Sequence, residues 1–126
     1  MINFSTLPEL SLYVHLPWCI RKCPYCDFNS HEKPDGIPES KYVDALMRDL
    51  EQFLPRVWGR PLVSIFIGGG TPSLFSSASI ARLISEIRAR VKCLPDLEIT
   101  LEANPGSFEA DRFRGFADAG VNRLSI

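Results

Sequence analysis

Strand-like apolar segments alternate with amphipathic helical segments along this chain, and this alternation restricts its fold more than any other feature. Strands are predicted over Ser11–Pro17, Leu62–Gly70 and Asp96–Gly106, and a fourth strand begins at Asn122. Apolar residues at helical spacing separate each strand from the next. The order β-α-β-α-β-α-β predicts an α/β fold with a parallel sheet and right-handed crossovers. An open doubly wound sheet and a (β/α) barrel both satisfy it.

Three helices are predicted between these strands. The first covers about four turns, and Pro55 and Gly59 are expected to end it. The second ends near Cys93, which would face away from the carboxyl ends of the strands. Ser107 is expected to cap the third helix, and Gly120 to terminate it. Because chemistry in parallel sheets collects at the carboxyl ends of the strands, the segments that follow each strand are the candidate site.

A group of cysteines follows the first predicted strand directly. Cys19, Cys23 and Cys26 lie within nine residues in the spacing C-x3-C-x2-C. The start of the chain lacks a signal-peptide pattern, so clustered thiols indicate a metal or redox site rather than disulfides. Structural zinc takes four protein ligands, whereas three thiolates on a [4Fe–4S] cluster leave one iron open to a small molecule. A zinc knuckle completed by Cys93 or His31 is the alternative interpretation.

Two further segments are predicted at the same edge of the sheet. Gly68–Pro72 contains successive glycines, which let the backbone approach a ligand closely, although a tight turn would also need them. It matches neither a phosphate loop nor a dinucleotide-binding loop. Glu102 ends the third strand, where its carboxylate can bind a ligand or form a salt bridge. Tyr13, six residues before Cys19, could stack or hydrogen-bond near a ligand. His15 is interpreted either as a core histidine or as a group supporting the site.

The cysteine spacing, with the aromatic Tyr25 before the last cysteine, resembles the radical S-adenosylmethionine (SAM) enzymes. The resemblance implies that the three cysteines hold a [4Fe–4S] cluster whose open iron binds SAM. One electron would then cleave SAM to methionine and a 5′-deoxyadenosyl radical. It also implies that the glycine segment contacts the SAM amino group. The candidate cofactor-binding residues are Tyr13, Tyr25, Gly69, Gly70, Thr71 and Glu102, and the candidate metal ligands are Cys19, Cys23 and Cys26.

Four segments, YVHLPWCIRKCPYCDFNSH, GGGTPS, LEANPG and GVNRLSI, together resemble the oxygen-independent coproporphyrinogen III oxidase-like branch of these proteins. The true oxidases carry a fourth cysteine two residues after the third, where this sequence has Phe28. That departure argues against oxidase activity and matches the HemW-type heme chaperones, which bind the cluster, SAM and heme and pass heme to acceptor proteins. The resemblance therefore implies a heme chaperone. Coproporphyrinogen III dehydrogenase activity, by hydrogen abstraction from propionate side chains, is the alternative.

Members of this branch are several hundred residues long, with a partial (β/α)6 barrel and a C-terminal domain. Residues 1–126 are therefore expected to be the first half of the barrel, with the heme-binding part beyond Ile126. Alone, such a piece would not bind heme as the whole protein does, and its open sheet edge would favour aggregation. Heme acceptors and an electron donor are the expected protein partners. A small zinc-binding interaction module would account for the cysteine segment only.

Charge and hydropathy argue against binding to nucleic acid, binding to an anionic membrane and spanning a bilayer. The 14 basic and 15 acidic residues give a net charge of −1, so no basic field indicates binding to nucleic acid or to an anionic membrane. No apolar run is long enough to span a bilayer. A cytoplasmic location is the expectation.

Overall fold

The structure, a computed structural model, describes residues 8–19, 31–32, 37–103 and 110–126. In chain order the elements are β1 (Leu10–Leu16), β2 (Trp18–Cys19), β3 (His31–Glu32), α1 (Glu39–Val57), β4 (Leu62–Gly69), a 3-10 turn (Pro72–Leu74), α2 (Ser77–Arg90), β5 (Cys93–Glu102), α3 (Ala110–Ala119) and β6 (Arg123–Ser125). The main sheet has four strands in the order β1-β4-β5-β6, and β2 and β3 form a separate two-stranded ladder.

Strand order decides between the two architectures that the sequence left open. Neighbouring strands of the main sheet are parallel and follow one another across the sheet in chain order. Right-handed crossovers that always step in one direction place their helices on the same face of the sheet. A doubly wound sheet reverses direction and carries helices on both faces. The fold is therefore α/β, as predicted, and its four main strands form an arc of a (β/α) barrel.

The two faces of the main sheet differ sharply in polarity. The helix-covered face is apolar, and Ile65, Ile67, Ile99 and Leu101 are completely buried in it. Each such side chain contributes roughly 1.5–3 kcal/mol of burial free energy, so this layer is the main source of stability. The opposite face is here called the open face. Its residues, read from the strand register, are Ser11, Tyr13, His15, Ser64, Phe66, Gly68, Glu98, Thr100, Glu102, Arg123 and Ser125.

The first helix is longer than the sequence predicted. It runs from Glu39 to Val57 and includes Pro55, which was expected to end it. Proline lacks only one backbone donor, and in the last turn of a helix that loss removes a single hydrogen bond. Gly59, with φ of 84°, then adopts the left-handed conformation that commonly follows a helix.

Cys93 lies in a strand rather than at the end of a helix. The amide of Val91 still donates to the carbonyl of Ile87, as in a helix. One residue later, the carbonyl of Lys92 instead accepts a hydrogen bond from the amide of Leu62 of β4, at 2.7 Å. Pairing with β4 therefore starts β5 three residues earlier than the sequence predicted, and Cys93 pairs with Leu62. The thiol is free and partly buried, and it lies at the amino edge of the sheet, away from the cysteine segment as expected.

The third helix ends as predicted, because Gly120 has a φ of 120°. The expected cap at Ser107 lies outside the described residues, as does the turn at Asn104–Gly106.

Candidate functional site

The cysteine segment leaves the carboxyl end of β1. Trp18 and Cys19 form β2, which pairs in parallel with His31 and Glu32 of β3. The two ends of this segment therefore lie side by side at the carboxyl edge of the main sheet. Cys23, Tyr25 and Cys26 lie outside the described residues, and only the backbone of Cys19 is described. Metal ligation by the three cysteines stays a prediction.

The glycine segment is held directly against the start of the cysteine segment. The amide of Gly70 donates to the carbonyl of Leu16 at 2.9 Å, and that of Thr71 donates to the carbonyl of Trp18 at 2.6 Å. Gly69 has a φ of 126°, and a Cβ at this position would lie 2.4 Å from the carbonyl oxygen of Leu16. Gly69 is thus required by the approach of two backbone segments. Because the two segments meet at Trp18, a ligand held at the neighbouring Cys19 would lie beside the glycines.

Three aromatic side chains from distant parts of the chain fix this arrangement, and they are here called the aromatic brace. The ring of Trp18 meets the ring of Tyr42 edge-on, with centroids 4.7 Å apart, and lies 5.7 Å from the ring of Phe75. Phe75 is 1% exposed. The hydroxyl of Tyr42 donates to the carbonyl of His15 at 2.6 Å. The brace ties α1 and the segment after the glycines to the residue before Cys19.

Sequence reasoning missed the brace. Trp18, Tyr42 and Phe75 are widely separated in the chain, and the only local signal was the position of Trp18 beside Cys19.

Tyr13 and His15 form a pair on the open face, close to the glycine segment. The hydroxyl of Tyr13 is 3.0 Å from Nδ1 of His15, and its ring stacks on Phe66 with centroids 6.0 Å apart. A Cβ on Gly68 would lie 3.2 Å from the Tyr13 hydroxyl oxygen. Partial burial, followed by the nearby carboxylate of Glu102, raises the pKa of Tyr13. Tyr13 therefore stays a neutral phenol at physiological pH.

Glu102 lies where the sequence placed it, at the carboxyl end of β5, and it is partly buried. Its carboxylate forms no ion pair or hydrogen bond within residues 8–19, 37–103 and 110–126. The salt-bridge interpretation of this residue therefore finds no partner in that part of the chain.

Thr71 is 5% exposed and precedes the 3-10 turn. The structure brings Gly69, Gly70, Thr71 and Glu102 to the carboxyl edge of the sheet, where the sequence placed them, and Tyr13 lies nearby on the open face of β1. What these residues bind stays a prediction.

The residues at this edge fit a bound cofactor. Nε2 of His15 is buried and has no hydrogen-bond partner among the described residues, a state that costs free energy unless another group completes it. Bare glycine backbone and the carboxylate of Glu102 lie at the same edge. Among the described residues, no group of three or more His, Cys, Asp or Glu side chains lies close enough together to bind a metal ion. The side chains of Cys19, Cys23 and Cys26 are not among those described. Cys93 lies at the opposite, amino edge of the sheet, so it is too far away to complete a zinc site with the cysteine segment.

Comparisons with known proteins agree with this geometry. The sequence model of the Radical SAM superfamily matches residues 13–126. The heme chaperone HemW of Haemophilus influenzae is 55% identical over 124 residues, which cover 95% of this chain and 32% of that protein. HemW of Escherichia coli K12 is 53% identical over 120 residues, with the same coverages of 95% and 32%. The chain thus spans about a third of the length of these curated relatives.

A solved structure also resembles the chain. It is coproporphyrinogen III oxidase (HemN) from Escherichia coli, described as a radical SAM enzyme, with a TM-score of 0.82 and 33% identity. The match covers 93% of this chain and 27% of that structure. Among the described helices, none combines the length and apolarity needed to cross a bilayer. The family model matches residues 13–126, and the arc of parallel strands agrees with it, so the chain belongs to the radical SAM superfamily.

Proposed function

We propose that this chain is the cluster-binding part of a heme chaperone, a protein that binds heme and transfers it to acceptor proteins. The observation that carries the proposal is identity of 55% and 53% to two proteins named heme chaperone HemW, over 95% of the chain. Phe28 supports it, because the sequence has no cysteine where the oxidases of this branch carry their fourth.

Cys19, Cys23 and Cys26 would hold a [4Fe–4S] cluster and leave one iron for SAM. When bound, these groups supply one-electron chemistry that cleaves SAM. The chain's own part is to bind and orient them. The aromatic brace holds the start of the cysteine segment. Gly69 and Gly70 have no side chains, so their backbone could approach the bound cofactor closely. Glu102 offers acceptor oxygens for a ribose hydroxyl or an ammonium group, and Tyr13 and Tyr25 offer aromatic surface.

Further parts of the proposal concern the whole protein. We place residues 1–126 in the amino-terminal half of a partial barrel, with heme bound by later residues. This assignment is supported by the 32% coverage of the two HemW relatives. Heme acceptors and an electron donor are the proposed partners, and the cytoplasm is the proposed location.

The second candidate function is oxygen-independent coproporphyrinogen III dehydrogenase. The observation in its favour is the likeness to HemN, with a TM-score of 0.82 and 33% identity. The higher identity to the two HemW relatives, 55% and 53%, and Phe28 favour the chaperone over the dehydrogenase.

One experiment separates the two functions. The full-length protein is reconstituted anaerobically with iron and sulfide, loaded with hemin, and mixed with an apo-heme protein while absorbance reports heme transfer. In parallel it is incubated with coproporphyrinogen III, SAM and a reductant, and porphyrins are quantified by chromatography. The chaperone proposal expects heme transfer and no loss of coproporphyrinogen. Conversion of coproporphyrinogen without transfer would establish the dehydrogenase instead.

A further inference from the structure

Both ends of the segment that carries the three cysteines are fastened to the same place in the chain. This segment leaves β2 after Cys19 and, apart from the two residues of β3, rejoins the described part of the chain just before α1. At its start, the ring of Trp18 lies 5.7 Å from the ring of Phe75. At its end, the carboxylate of Glu39 binds Ser76. Two consecutive residues therefore hold the two ends of one segment.

The contact at the returning end consists of two hydrogen bonds to one carboxylate oxygen, and it is here called the Glu39 clasp. The backbone amide of Ser76 donates to Oε1 of Glu39 at 2.8 Å, and the hydroxyl of Ser76 donates to the same oxygen at 3.0 Å. This hydroxyl also accepts from the amide of Ser79 at 3.1 Å and so caps the start of α2. Because the cap uses the hydroxyl as an acceptor, its proton remains free for Glu39.

The stability of α1 alone does not explain the clasp. Glu39 lies in the first turn of α1, where a negative charge stabilises a helix through the helix dipole. A carboxylate directed at water would serve that purpose equally well. Glu39 instead binds the residue that begins α2, and this residue follows the glycine segment and Phe75 of the aromatic brace. The clasp thus joins the segment after β1 to the segment after β4.

Fixing both ends of a loop makes it easier for the loop to hold a metal centre. Closing a loop costs conformational entropy, and binding must overcome this cost if the fold has not already done so. A loop held in its binding conformation therefore binds more tightly with the same ligands. Loosening one end should weaken the hold of the three cysteines on a bound group without changing any ligand.

We propose that Glu39 is a positioning residue for the cysteine segment, and that the Glu39 clasp keeps this segment closed so that a [4Fe–4S] cluster is retained. The inference rests on the proposed function, which supplies the cluster. Glu39 acts through Ser76, and its effect on the cluster comes from the geometry of the segment.

Three variants of the full-length protein, each reconstituted anaerobically with iron and sulfide, test this role. Glu39→Ala removes the clasp. Glu39→Gln keeps an oxygen that can accept both hydrogen bonds and removes the charge at the start of the helix. Glu51→Ala is the matched control. It breaks another contact between α1 and α2, the ion pair of Glu51 with Arg90 at 2.9 Å, about three turns further along α1.

The rate of iron release to a chelator measures cluster retention, and urea unfolding of the cluster-free protein measures stability. Glu39→Ala should release iron about fivefold faster than wild type, as for the loss of one hydrogen-bonded contact. Glu39→Gln and Glu51→Ala should stay within about twofold of wild type. Glu39→Ala and Glu51→Ala should lose similar amounts of stability, because each breaks one exposed contact between the same two helices.

Three results would overturn the inference and leave the proposed function standing. If Glu39→Ala retains iron as well as wild type does, the clasp does not keep the segment closed. If Glu51→Ala releases iron as fast as Glu39→Ala, a general loosening of α1 explains the loss. If Glu39→Gln releases iron as fast as Glu39→Ala, the charge of Glu39 acts, and its hydrogen bonds do not. If the wild type itself takes up no cluster, the proposed function fails, and the inference fails with it.

Discussion

Replacing Gly69 with alanine should destabilise the protein strongly, because two independent effects act at this residue. Its φ of 126° is a conformation that side chains rarely adopt, and it costs a non-glycine residue about 1–3 kcal/mol. The new Cβ would also lie 2.4 Å from the carbonyl oxygen of Leu16. Relieving that contact moves β1 away from β4 and breaks the hydrogen bond from Gly70 to Leu16, worth about 1 kcal/mol. The total is about 2–4 kcal/mol.

Urea unfolding of the ligand-free protein, followed by circular dichroism, measures this loss. With a slope of about 2 kcal/mol per molar urea, the midpoint should fall by about 1–2 M. Gly68→Ala is the matched control, since its Cβ would meet the rings of Phe66 and Tyr13 on the open face, which can move. The control should lose about 1 kcal/mol or less. A Gly69→Ala midpoint equal to that of wild type would refute the backbone contact described here.

Three further changes have defined outcomes. After anaerobic reconstitution, Cys93→Ser should keep the iron content of wild type, because Cys93 lies at the opposite edge of the sheet from Cys19. Cys19→Ser should lose iron. Equal losses of iron in both variants would contradict this prediction. Phe75→Ala should lower the free energy of unfolding by about 3–5 kcal/mol because the ring is buried, and a loss under about 1 kcal/mol would contradict its place in the core. The hydrogen bond from Arg123 lowers the pKa of Glu98, so this pair stabilises the fold above the ordinary glutamate range and stops doing so only as the pH falls through the lowered pKa. Glu98→Gln should therefore be less stable than wild type at pH 7, and the two should become equal only in acid well below the ordinary glutamate pKa in low-salt unfolding curves; a difference that does not shrink on acidification would contradict the assignment.

Local patterns were sufficient to predict the four strands of the main sheet and the three helices, but not the short β2–β3 ladder, which forms in segments expected to be a loop and a linker. Tertiary pairing explains where the predictions failed. Cys93 was misplaced because β5 starts where it meets Leu62 of β4, a contact between residues distant in sequence. Pro55 was read as a helix terminator because local preference disfavours proline inside a helix, yet α1 continues for two residues beyond it. The choice of a barrel arc needed the strand order, which no single segment contains.

In the candidate site, too, residue positions along the strands could be predicted from the sequence, whereas contacts between distant residues could not. Gly69 and Glu102 were placed at the correct edge, because every strand of a parallel sheet presents its carboxyl end to that edge. The brace was not predicted, since Trp18, Tyr42 and Phe75 meet only after folding. The lack of a partner for Nε2 of His15 among the described residues was not predicted either, because it depends on which side chains surround the ring after folding.

The proposed site consists of three cysteines that hold a cluster with one iron open to SAM. Electron paramagnetic resonance of the full-length protein, reconstituted anaerobically and reduced, with and without SAM, would show whether such a site exists. We expect a [4Fe–4S]⁺ signal that shifts when SAM is added, because SAM would become the missing ligand of the fourth iron. A signal that does not change with SAM, or bound zinc in place of a cluster, would contradict it.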